Sequence, residues 1–121
     1  MKEEDKAKLS KDKRKSKLAR ARRKRGIRFE RRVKSFLEDH GWFCIRAAGS
    51  KPIDIVAWKD NIIWLIECKT GRASSAKETE KIVNTLLTAS EPLQNAVPVV
   101  ARNIKRRIVL RSLINTQELK P

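Results

Sequence analysis

Two apolar runs separated by three polar residues constrain this chain more than any other feature. Ile53 to Trp58 and Ile62 to Thr70 have strand length and β-branched and aromatic character, and Lys59-Asp60-Asn61 joins them as a tight hairpin turn. Ile55, Val56, Ile63, Leu65 and Ile66 put apolar side chains on both faces, so the pair belongs inside a covered sheet. A carboxylate there is costly unless something partners it. Yet Asp54, Glu67 and Lys69 all sit on these runs. Side chains two apart on a strand share a face, so Glu67 and Lys69 point one way and Cys68 the other. Antiparallel pairing would carry Asp54, at the mouth of the first strand, to Glu67.

Two carboxylates and an ammonium converging on one spot suit a divalent cation engaged in phosphodiester chemistry. Mg²⁺ takes oxygen ligands, keeps several waters, and needs few carboxylates beyond substrate phosphate. Asp54 and Glu67 are the candidate ligands. Lys69 would orient or help deprotonate the attacking water and offset charge building on the phosphate. Plainer roles stay open: a turn residue for Asp54, a solvated or ion-paired residue for Glu67, and a simple Glu67–Lys69 salt bridge.

Charge narrows the partners. Thirty Lys and Arg against fourteen Asp and Glu leave a net charge of +16, which seeks polyanions, nucleic acid first. An anionic membrane surface is the weaker candidate. No apolar run approaches the roughly 18 residues of a spanning helix, and the charged arm lacks the apolar face of an interfacial helix. The charged start has no signal-peptide core, so a cytoplasmic location is expected, with association to nucleoid or viral DNA. Cys44 and Cys68 show no metal-ligand spacing and read as small core residues.

The chain divides into a basic arm, residues 1–25, and a single domain, residues 26–121. The arm has thirteen basic and four acidic residues (net +9) and little to bury. It is expected to be mobile when unbound and able to turn helical, from Lys11 to Arg25, against a phosphate backbone. From Gly26, Phe29, Val33, Phe36 and Leu37 mark an amphipathic helix ending at His40-Gly41. Strands follow at about Trp42–Ala47, Ile53–Trp58 and Ile62–Thr70. Ser75 can cap a second helix from about Ala76 to Ala89, and two more strands lie at about 97–101 and 107–113. The order α-β-β-β-α-β-β predicts an α/β fold with a mixed sheet.

This order resembles the archaeal-type Holliday junction resolvases, a branch of the PD-(D/E)xK nuclease superfamily with a restriction-endonuclease-like core. The matching residues are Gly26-x-x-x-Glu30-Arg31, Arg46-Ala47-Ala48-Gly49-Ser50, Pro52-Ile53-Asp54-Ile55-Val56-Ala57 and Ile66-Glu67-Cys68-Lys69. The resemblance implies a Mg²⁺-dependent endonuclease, with Mn²⁺ able to substitute, that leaves 5′-phosphate and 3′-hydroxyl ends. It adds the Cys68 backbone carbonyl as a metal ligand and Ser50 as a hydrogen-bond donor to the phosphate near the cut. It also supports Glu30 as a further site carboxylate, direct or through water, although Glu30–Lys34 is equally a well-placed helix pair. Only three residues separate Ser50 from Asp54, fewer than is usual in the family, which bears on substrate choice.

Arg22, Arg23, Lys24, Arg25, Arg31, Arg32, Arg46, Lys51 and Arg72 are the candidate DNA contacts, together with Ser50. Arg102, Lys105, Arg106 and Arg107 extend the set. Backbone contacts of this kind carry affinity but no sequence information. Trp64 shares a face with Ile62 and Ile66 and reads as core, and Trp58 could stack on a base. A four-way junction needs two symmetric nicks, so a homodimer is expected, with Leu86, Leu87, Leu93 and Val97 as its apolar surface. Two rivals stand beside this reading: the same chemistry on another DNA or RNA substrate (nicking, flap or restriction-type cutting), and a basic nucleic-acid-binding protein without catalysis.

Overall fold

A computed structural model describes residues 2–47, 53–70 and 76–121. The elements are α1 (Glu3–Asp39), β1 (Phe43–Arg46), β2 (Ile55–Lys59), β3 (Ile62–Lys69), α2 (Ala76–Ser90), β4 (Ala96–Ile104), β5 (Arg107–Ser112) and β6 (Glu118–Leu119). The six strands form one sheet in chain order. Only β3 and β4 pair in parallel, and α2 is the crossover that such pairing requires. The sheet is therefore α/β and mixed, as expected, with the short β6 added at its far edge. The expected Ser75 cap falls outside the described residues.

One face of the sheet belongs to α1. Phe29, Val33 and Leu37 recur at helical spacing and are buried against Ile55, Ala57, Trp64, Ile66, Val99, Ala101 and Leu110. Trp42 stacks on Trp64 with ring centroids 4.0 Å apart, which makes Trp64 a core residue. Cys44 and Cys68 are unpaired and border this core. Burial pushes the Cys44 thiol up to about 11 and raises Cys68 as well, so both remain uncharged fillers. The opposite face carries α2 over β4, with Leu86 fully buried.

α1 stops where the sequence says it must. Gly41 adopts φ +88°, the Gly41 N–H bonds Glu38 O at 3.0 Å, and the Trp42 N–H bonds Leu37 O at 3.1 Å. These two bonds are a Schellman cap, and glycine is the residue without a steric cost at that φ. Its start is another matter. The expected helix began at Gly26, whereas α1 begins at Glu3 and runs without interruption through the arm. Residues 3–25 lack Gly and Pro and are rich in Lys, Arg, Ala and Leu, all good helix formers. Glu3, Glu4 and Asp5 in the first turn favour the positive end of the helix dipole. Gly26 is thus a mid-helix residue, and a Cβ there would meet nothing within 4 Å, so no close chain approach explains it.

Candidate active site

The β2–β3 register decides where the charged residues meet. Ile55 pairs with Ile66, and one step further out the Asp54 N–H bonds Ile66 O at 2.9 Å. On the other side, the Ala47 N–H bonds Asp54 O at 2.8 Å. Asp54 is therefore held at the mouth of β2 between its two neighbours, opposite Glu67. Its Oδ2 accepts a 2.8 Å hydrogen bond from the Cys68 N–H, which fixes the carboxylate against β3.

Glu67 is the anomalous residue. It is only 8% exposed, and its Oε2 is buried with no hydrogen-bond partner among the described residues. Oε1 lies 3.5 Å from Lys69 Nζ, so the Glu67–Lys69 pair exists but serves one oxygen of two. Burial raises the Glu67 carboxyl to about 7, the Asp54 charge adds to this, and Lys69 opposes it. Asp54 is raised too, first by burial; the Cys68 N–H pulls it down and the charge of Glu30 pushes it up. An acidic pair of this kind is short of positive charge at neutral pH.

Glu30 reaches the same neighbourhood from α1. Its Oε2 bonds Arg46 Nη1 at 3.0 Å, both side chains being largely buried. The alternative Glu30–Lys34 pair does not form, because Lys34 bonds Glu38 at 3.0 Å instead. Arg46, expected at a phosphate, thus has one guanidinium nitrogen committed to Glu30. No sequence pattern pairs these two residues; α1 and β1 bring them together only by packing side by side.

The remaining candidates divide cleanly. Arg22, Arg23, Lys24, Arg25, Arg31 and Arg32 are all exposed along α1. Because β1 begins near the C-terminal end of α1 and finishes at Arg46 beside Glu30, the arm projects from the end of the sheet that holds Asp54 and Glu67. Ser50, Lys51 and Arg72 lie outside the described residues. The Cys68 thiol faces the α1-side core, so this residue offers the acidic pair only backbone. Trp58, 36% exposed, stacks on Phe43 at 5.9 Å, well away from the mouth of β2. Among the described residues, no three His, Cys, Asp or Glu side chains converge tightly enough to cage a metal ion. Two carboxylates with an unpartnered buried oxygen still fit a hard divalent cation that keeps waters and takes substrate oxygens. Zinc-type N/S ligation has no donors here.

The profile of the archaeal Holliday junction resolvase (Hjc) family matches residues 21–120. A crossover junction endodeoxyribonuclease Hjc from Methanocaldococcus jannaschii is 34% identical over 67 residues, covering 55% of this chain and 50% of the relative. The chain thus spans about half the length of that curated relative. The 1.6 Å structure of Archaeoglobus fulgidus Hjc, a Holliday junction resolvase from an archaeal hyperthermophile, superposes with a TM-score of 0.60 at 28% identity, over 74% of this chain and 78% of that one.

Proposed function

Because the chain belongs to the archaeal Holliday junction resolvase family, we propose that it is a divalent-metal-dependent DNA endonuclease that resolves four-way junctions by paired symmetric nicks. The observation that carries this reading is Glu67 Oε2, a buried carboxylate oxygen without a partner among the described residues, on the residue that lies opposite Asp54 at the open end of β2 and β3. Asp54 and Glu67 would hold the cation, with the Cys68 carbonyl completing the protein's share. Mg²⁺ is the natural ion, and Mn²⁺ can substitute. When bound by these residues, such an ion would supply polarisation of the scissile phosphate and a more acidic water.

The chain's own residues do the rest. Lys69 orients the attacking water and offsets charge on the phosphate. The Cys68 N–H keeps Asp54 in one rotamer. Arg46 holds Glu30 toward the acidic pair, where Glu30 acts directly or through water. Ser50 donates to the phosphate beside the cut. Arg22, Arg23, Lys24 and Arg25 in the arm, with Arg31, Arg32, Lys51 and Arg72, neutralise backbone phosphates. The protein acts on nucleoid or viral DNA in the cytoplasm; no described helix is long and apolar enough to cross a membrane.

Two nicks on two like strands call for two sites, so we infer a homodimer. Two copies of charge +16 can approach only on a face poor in cations. Phe43 and Ile45 of β1, with Trp58 of β2, form such a surface on the side opposite α1, at 66%, 58% and 36% exposure. The surface expected from sequence needs correcting: Leu86 is fully buried and Val97 borders the α1-side core, while Leu87 and Leu93 are exposed. Phe43→Lys with Ile45→Lys should give monomers by light scattering, and a monomeric wild type on junction DNA would remove the dimer.

The test is cleavage of a labelled four-way junction beside linear duplex of the same sequence, by wild type and Asp54→Asn, with Mg²⁺ or chelator. Paired nicks on the junction alone, lost with chelator or Asp54→Asn while binding persists, are expected. Equal cutting of the linear duplex would leave a nuclease of another substrate class. Tight binding without cutting in any metal would leave a non-catalytic DNA-binding protein.

A further inference from the structure

Among the described residues two hairpins close through two-residue turns, and they are built from opposite chemistries. The β2–β3 turn is Asp60-Asn61, with Asp60 at φ +55°. Asp tolerates the left-handed region, which the first position of this turn adopts. The β4–β5 turn is Lys105-Arg106, closed by the Ile104–Arg107 pair. Both of its residues are left-handed, at φ +50° and +66°. Neither side chain relieves the clash that makes this region unfavourable, and Asn-Gly would fill the same turn without strain.

Something other than turn geometry therefore accounts for Lys and Arg at this tip. The tip is exposed, and among the described residues none of Lys105, Arg106 and Arg107 has an ion-pair partner. A fourth cation is held against them: the Arg32 guanidinium of α1 donates to the Arg106 carbonyl. Asp39 lines the same surface cleft as Arg32 and Arg107, so a single carboxylate stands near four cations, and the surplus positive charge favours an anion. The position is also informative. β4 runs parallel to β3 with Lys69 opposite Arg102, so the turn lies at the same end of the sheet as the acidic pair. Three further residues carry it about 10 Å beyond Lys69.

We propose that the Lys105-Arg106 turn, braced by Arg32, is a grip for the phosphate backbone of duplex DNA, separate from the cutting residues. This inference rests on the DNA-binding reading above. The strained turn is retained because the residues that would relax it carry no charge. The grip reads no bases; it sets how duplex enters the site and how steeply binding responds to salt.

The test exploits the conflict between turn geometry and charge. Lys105→Asn with Arg106→Gly should raise the melting temperature while weakening junction binding. Binding is measured by fluorescence anisotropy in chelator, so that no DNA is cut. The slope of log K against log salt should fall by roughly 1.8, two phosphate contacts at about 0.9 each. Lys105→Gln with Arg106→Gln keeps the strain and removes the charge, so it should lose the same slope without the rise in melting temperature. Lys81→Gln with Lys120→Gln removes equal charge elsewhere and should leave the slope near wild type. An unchanged slope in either turn variant overturns the grip, as does an equal loss in the control pair. Failure of the wild type to bind DNA at all would instead overturn the functional reading on which the grip rests.

Discussion

Residues 3–25 and residues 26–39 are one helix held in two different ways. In the second stretch Phe29, Val33 and Leu37 are each at most 4% exposed and locked into the core. In the first stretch every residue is exposed and nothing packs. Starting a helix is the costly step, and adding turns to an existing one is cheap. The packed half thus supplies the nucleus, and propensity carries the helix outward through the arm. One half is fixed by tertiary contacts, whereas the other is only permitted by its composition. Glu30, bonded to Arg46, sits near the join, the first candidate site residue that packing controls.

The sharpest break in this comparison is between two leucines. Leu37→Ala should cost about 2–5 kcal/mol in denaturant melts, because it opens a cavity in a filled core. Leu18→Ala, on the exposed half, should stay within about 0.5 kcal/mol. Equal costs would mean that the arm packs against something in solution.

Next in size is a pH effect confined to the packed region. Glu67 titrates at about 7 in the folded chain against an ordinary 4.5. Between those values the folded state keeps a proton that the unfolded state has released. The stability this group contributes is therefore present below about pH 4.5 and is lost as pH rises toward 7, a swing of about 3 kcal/mol. Asp54, also raised, acts in the same direction. Metal-free wild type should weaken over that range, Glu67→Gln should flatten the dependence, and Mg²⁺ at pH 8 should restore stability to wild type. A flat wild-type profile would show that Glu67 is not starved of positive charge.

At the join, Glu30→Gln should lower junction cleavage roughly ten- to a hundredfold, as losses of groups behind a metal site do. It should cost only about 1 kcal/mol of stability, from the partly buried Arg46 left without its carboxylate. Loss of folding instead would make Glu30 a structural residue. The smallest effect on stability belongs to the arm: deleting residues 2–20 should leave the melt within about 0.5 kcal/mol. The same deletion should weaken junction binding and lower its salt slope, which anisotropy titrations would register. A destabilised deletion mutant would contradict the division of α1 into a packed and an unpacked half.

Legibility followed the same division. The β2–β3 hairpin, the Glu67/Cys68 alternation, the Phe29/Val33/Leu37 stripe and the Gly41 stop could all be read because each depends on neighbours a few residues away. The start of α1 was misplaced because the arm has no apolar periodicity, and the glycine at position 26 looked like a boundary. Helix-forming residues simply continue through it. Leu86 and Val97 read as surface residues because they are as apolar on paper as the exposed Leu87, Leu93 and Phe43, and only the seat of α2 over β4 and the α1-side core separate the buried from the exposed.

The sequence by itself determined that Asp54, Glu67 and Lys69 would gather at one end of a mixed sheet, since strand alternation and a short turn leave them few other arrangements. Only the tertiary structure decided that Glu67 keeps an unpartnered oxygen, that Glu30 answers to Arg46 rather than Lys34, and that Arg32 braces the β4–β5 turn. Those contacts join residues up to 74 positions apart. Which long-range partner a charge meets is set by how helices and strands stack, and no local pattern records that choice.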